Sequence, residues 1–202
     1  MSWDDLGRDA KSANDRDHDR KIGVYIGILA VLLALCTLGG GNATKDATIK
    51  NIEATNTWAF FQAKNMRRHV LRLETDALEL RLATEAGLST DAKTAIAARI
   101  ADYKKQDASL TSDPDKEPAK REGLDQLWEK AKALEAARDI AMRKDPYFDY
   151  GQALLQIAIV LASVAIVAGG STVLVASFVL AALGILMTFN GFTLAIPLPW
   201  IG

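Results

Sequence analysis

Apolar residues gather in three blocks along the chain, and the long interval between the first two alternates apolar with charged positions. The first block, IGVYIGILAVLLALCTL, runs from Ile22 to Leu38. At about 1.5 Å of helical rise per residue it covers most of a hydrocarbon core about 30 Å thick, and Gly39, Gly40 and Gly41 either continue it loosely or end it. The second block runs from about Gly151 to Ala168 and the third from about Thr172 to Phe189. The uncharged GGST turn between them is so short that two spans joined by it form an antiparallel hairpin.

In the interval, apolar or small residues recur at alternating steps of three and four. They are Ile49, Ile52, Ala59, Ala63, Met66, Val70, Leu73, Ala77 and Leu80, with only Asn56 interrupting. That is a heptad seam, and it predicts a helix from about Thr44 to Glu85, roughly 60 Å long. Gly87 supplies a stop, and Ser89 or Thr90 restarts a shorter helix bearing Ala92, Ile96, Ile100 and Tyr103. TSDPDKEP at 111–118 reads as a solvated break. Beyond it Leu124, Leu127, Ala131, Leu134, Arg138 and Ala141 repeat the spacing toward the second span. Chain direction reverses between two heptad arms, so a helical hairpin that buries both seams is the simplest architecture.

The expected fold is therefore an all-α membrane protein: three transmembrane helices, with a helical-hairpin, coiled-coil-like extramembrane domain inserted between spans one and two. Its parts are a polar N-terminal tail (1–21), a first span (22–41), the extramembrane hairpin (42–147), and the second and third spans with a C-terminal tail (148–202).

Charge sharpens this division. No Asp, Glu, Lys, Arg or His follows Asp149, whereas basic and acidic residues are dense and equal in number from Gly39 to Asp149. The net charge of −1 and the mixed signs leave no basic patch for nucleic acid. Arg20 and Lys21 abut the first span, which favours a cytoplasmic N-terminus and an excursion on the far side; Arg143 and Lys144 argue the other way. GNA at 41–43 and LALC at 33–36 are weak matches to a cleavage site and a lipoprotein box, so the first span is expected to be retained as an anchor.

Catalytic and metal-binding patterns are lacking. Asp15, Asp17 and Asp19 begin like a calcium loop, but Arg20 stands where glycine is needed and Ile26 where a bidentate glutamate belongs; DPDKE at 113–117 fails the same test. The two histidines, His18 and His69, have no zinc-site spacing, and neither a phosphate-binding loop nor a nucleophile elbow appears. No cofactor or enzymatic activity is expected. Lone Cys36 lies inside an apolar run and forms no intrachain disulfide.

Two groups are candidate interaction sites. Asp149, Gln152, Gln156 and Ser163 follow at steps of three, four and seven and share one face of the second span. An amide facing lipid costs free energy, so the stripe is read as a contact with another helix, in the same or another protomer, or alternatively as a pore lining. Trp58, Phe60 and Phe61 form either a docking patch for a partner or lipid surface, or an internal cluster against the returning arm at Trp128. Gly23 with Gly27, and Ala158 with Ala162, are spacings that permit close helix approach.

TNTWAFFQAKNMRR together with FDYGQALLQIAIVLASVAIV resembles a bacterial inner-membrane family of unknown function, whose members pair a WxFFQAK-like segment with an FDxGxxLLQIAIVLAS-like span. The resemblance implies the three-span layout and a bacterial origin, and brings no activity, cofactor or catalytic residue. The expected function is a non-enzymatic membrane scaffold or accessory protein of the bacterial inner membrane that self-associates or docks on a larger complex. Its expected partners are membrane lipids and a second copy or another membrane protein. The alternative is a subunit of an oligomeric pore or transporter with Gln152 and Gln156 lining a polar path; against it, the spans carry no mid-membrane ionisable group.

Overall fold

Four helices and no strand make up the residues described by this computed structural model, which are 3–112, 122–168 and 171–197. They are α1 (Trp3–Thr84), α2 (Thr90–Thr111), α3 (Leu124–Ala168) and α4 (Ser171–Thr193). Three of them, α1, α3 and α4, contain stretches long and apolar enough to cross a membrane. Of the break expected at 111–118, residues 113–118 lie outside the described residues, as do 169–170 of the turn expected at 169–172; Thr111 ends α2, and Ser171 and Thr172 begin α4.

Two helices are longer than the pattern predicts. α1 runs unbroken through Gly39, Gly40 and Gly41, because the i to i−4 hydrogen bonds need no side chain, and Gly39 and Gly40 serve packing while Gly41 is exposed. A Cβ at Gly39 would overlap the ring of Phe148. α3 likewise continues from the charged arm into the apolar span, with Pro146 inside it. α2 starts where expected: the Ser89 hydroxyl accepts from the Ala92 backbone N–H at 3.2 Å, an N-cap.

The chain divides into two compact units. The first comprises Met1–Ala47 and Asp139–Gly202 and holds the three apolar stretches. Its inner faces keep steps of three, four and seven: Ile22, Leu29, Cys36 and Ala43 on α1; Phe148, Gly151, Leu155, Ala158, Ala162 and Ala165 on α3; Ser177, Ala181, Gly184 and Gly191 on α4. That spacing is the one that knobs-into-holes packing requires. Small residues at the contacts let backbones approach, so Cβ atoms added at Gly151 and Gly184 would lie 3.3 and 3.2 Å from the Gly184 and Gly151 carbonyl oxygens, respectively. Ala158 and Ala162 are fully buried, whereas Gly23 and Gly27 are exposed, with nothing near the positions their Cβ atoms would take.

The second unit, Thr48–Arg138, packs the remainder of α1 against α2 and the start of α3. Arg72 grips Asp107 with two hydrogen bonds of 2.9 and 3.0 Å, and Lys104 pairs with Glu79 at 2.7 Å. The inward stripes expected on α2 and on the charged arm of α3 are in place: Ile100, Leu124, Leu127 and Ala131 are buried. The stripe expected on α1 is not. Ala54, Thr57 and Thr75 are buried and Phe61, Lys64, Arg68, Leu71 and Leu78 half-buried, while every member of the predicted seam from Ile49 to Leu80 is exposed. α1 carries two heptad stripes, and the more polar one faces its own chain. Thr57 and Thr75 can lie there because their hydroxyls donate to the carbonyls of Glu53 and Leu71, both at 2.7 Å, leaving the methyls to pack.

Candidate functional site

The polar stripe of α3 begins at Asp149, which is exposed. One turn on, Gln152 is half-buried, and the Thr37 hydroxyl lies 3.4 Å from its Oε1, linking α3 to α1. Gln156 is exposed, and exposed Ser163 donates to the Ile159 carbonyl of its own helix at 2.9 Å. Among the described residues, then, Gln152 alone of the four reaches another helix by a hydrogen bond.

The interior of this unit holds polar groups outside that stripe. Ser177 is fully buried on α4, donates to the Ala158 carbonyl at 2.7 Å and meets the Tyr25 hydroxyl at 3.2 Å, so one serine ties three helices. Cys36 donates to the Phe148 carbonyl at 3.2 Å. In the last turn of α4, buried Asn190 accepts from the Ile196 N–H at 2.9 Å and donates to its carbonyl at 2.8 Å, closing the helix end as the backbone turns through Leu194 at φ 49°. Ser177 had a readable signal, since it falls in step with Ala181, Gly184 and Gly191. The asparagine clamp had none, because it depends on where the chain turns.

Trp58 and Phe61 sit in the second unit against Trp128, with ring centroids 4.9 and 5.8 Å away. The Trp58 ring is edge-on to both neighbours, the favoured geometry for aromatic quadrupoles. Its indole N–H donates to Glu135 at 2.8 Å, and Lys132 pairs with the same carboxylate at 2.9 Å while lying 5.6 Å from the Trp58 and Trp128 centroids. The Lys132 ammonium, then the Trp58 N–H, hold the Glu135 carboxyl below its ordinary value. Phe60 points elsewhere: it is exposed, and the Lys64 ammonium lies 5.0 Å over its ring. Thus two of the three aromatics, both half-buried, pack against Trp128, itself 49% exposed, and Phe60 remains on the surface.

In the second unit, the outer stripe of α1 stays exposed. Ile49, Ile52, Met66, Val70, Leu73 and Leu80 are between 41% and 64% exposed, in a row that keeps the three-four step throughout. Among the described residues, no group of three or more His, Cys, Asp or Glu side chains is placed to hold a metal ion.

A family profile matches residues 18–194, a stretch that takes in both units from the start of the first apolar stretch to the end of α4. The chain belongs to the family described as Domain of unknown function (DUF4337). The WAFFQAK segment and the FDYGQALLQIAIVLAS span both fall inside the matched region of this family. No match was found among curated proteins or among solved structures.

Proposed function

We propose that this chain is a non-enzymatic scaffold or accessory protein of the bacterial inner membrane, which self-associates or docks on a larger membrane complex. In this reading its three apolar helical stretches are spans, and the charged helices form a hairpin domain inserted between the first and second. The exposed α1 stripe carries the proposal. An exposed row with six large apolar side chains, and Asn56, Ala59, Ala63 and Ala77 between them, is stabilised when another surface covers it, and its three-four step suits another helix.

The exposure of Gln156 on an apolar helix favours a second reading, in which Gln152 and Gln156 line the path of an oligomeric pore. Both readings are tested by the mass of the full-length protein in mild detergent, measured by light scattering with the detergent subtracted. The parent is expected at a multiple of the chain mass, and the Val70→Asp, Leu73→Asp double variant at a lower multiple with unchanged helicity, because neither side chain contributes to the chain's own core. A parent at single-chain mass with nothing co-purifying would remove the proposal. A Gln152→Leu, Gln156→Leu variant that keeps the parent mass but alters ion flux through reconstituted vesicles would establish the pore.

A further inference from the structure

Building on the self-association reading, we propose that the outer stripe of α1 pairs with the same stripe of a second copy, parallel and in register, as a two-stranded seam. The six large side chains lie on one face of α1, turned away from most of the face that packs on α2 and α3, and Met66 and Val70 also border a groove shared with Gln106, Ser109 and Leu110 of α2. From Ile49 to Leu80 that face is about 48 Å long at 1.5 Å per residue. Its occupant is identified by the residues within and beside the row.

Counted as heptads, Ile49, Asn56, Ala63, Val70 and Ala77 take the first core position, and Ile52, Ala59, Met66, Leu73 and Leu80 the second. β-branched residues at the first position with leucine at the second favour two strands, as at Val70 with Leu73. Asn56, exposed in the single chain, interrupts the row at a first position. In a parallel, in-register pair it meets Asn56 of the other copy, and two amides can each donate and accept; a single polar residue at such a position sets register and strand number. Antiparallel pairing with full overlap would instead put Asn56 against Leu73 and Glu53 beside Glu74, leaving an amide unmatched and like charges adjacent.

Flanking polar residues are compatible with the parallel arrangement, with one pair of opposite charges. The position before each first core residue lies beside the position after the next second core residue of the partner helix. Gln62 of one copy then neighbours Arg67 of the other, His69 neighbours Glu74, and Asp76 neighbours Arg81, each pair occurring twice by symmetry. Arg81 bonds Glu85 of its own chain through Nε at 2.7 Å, and its guanidinium carries further donors for Asp76. Membrane insertion points the same way: copies that insert alike present α1 in the same direction, so parallel pairing needs no inverted partner.

The test is oxidative cross-linking of the full-length protein in native membranes. In a Cys36→Ala background, single cysteines replace Ala59, Ala77 or, as a control on the exposed face of α2, Ala97. Parallel in-register pairing predicts disulfide-linked dimers from Ala59→Cys and from Ala77→Cys, at yields at least tenfold above Ala97→Cys, and loss of both when Val70→Asp and Leu73→Asp are added. Cross-linking only when Ala59→Cys chains are mixed with Val70→Cys chains, the position opposite Ala59 in the fully overlapped antiparallel pair, would mean antiparallel pairing and overturn the proposal. A multimeric parent without stripe cross-links would also overturn it while leaving self-association standing. A stripe cysteine that captures a different protein would assign the surface to that protein, and a monomer without cross-links would remove both readings. Replacing Asn56 by isoleucine is expected to keep the complex but change its mass distribution, since the register determinant is gone.

Discussion

Glu135 is the residue at which a charge, an aromatic ring and a helix contact meet. It accepts from both Lys132 and the Trp58 indole, and these partners lower its pKa below the ordinary glutamate value of 4.5. A carboxyl whose folded pKa is depressed contributes stability that is present above the ordinary value and lost as pH falls through the folded one. The thermal midpoint of the protein in detergent is therefore expected to drop as pH is lowered through and below 4.5. A Glu135→Gln variant should show a shallower drop over the same interval, and an equal slope in the two proteins would separate Glu135 from the effect. That Trp58 would meet Trp128 was foreseeable, because a returning arm needs bulky filling. Its bond to Glu135 was not, since residues seventy-seven positions apart acquire a common neighbour only when α3 settles in register on α1.

Helix contacts in the first unit depend on which glycines touch a neighbour. The Cβ position at Gly184 lies 2.9 Å from Leu155 Cγ and 3.2 Å from the Gly151 carbonyl oxygen, atoms held in a buried contact. Gly184→Leu is expected to destabilise the protein by about 1 to 3 kcal/mol through overpacking, read as a lower thermal midpoint in detergent. Gly27 stands in open space, so Gly27→Ala is expected to cause no loss, with a gain of up to about 1 kcal/mol from helix propensity. The G-x-x-x-G spacing of Gly23 and Gly27 and the small-x-x-x-small spacing of Ala158 and Ala162 look equivalent in sequence, yet only the alanines meet another helix within the chain. Spacing defines a face, and packing decides whether the face is used.

The proposed topology makes a prediction for the molecule as a whole. If residues 42–147 face away from the cytoplasm, a cysteine at Ser112 in a Cys36→Ala background will react with a membrane-impermeant maleimide in right-side-out vesicles and not in inverted ones. Labelling of inverted vesicles alone would reverse the orientation. The helical class and the positions of the apolar stretches were determined by sequence alone. A charge-free block of about twenty residues satisfies its backbone internally as a helix, and the three-four step holds whatever that helix touches. Which way α1 turns was decided only by tertiary structure. Its sequence carries two stripes with the same period, one of Ile, Ala, Met, Val and Leu with a single Asn and one of Ala, Thr, Phe, Leu, Lys and Arg, and the absence of charge favours burying the first. The second faces inward because α2 and α3 bring the groups that satisfy it: the Thr111 hydroxyl for Arg68, the Glu122 carbonyl for Lys64, and the Trp128 ring for Phe61. A periodicity reports which residues share a face, whereas the choice of the buried face is a difference in free energy between two assemblies, and that difference depends on partners distant in sequence.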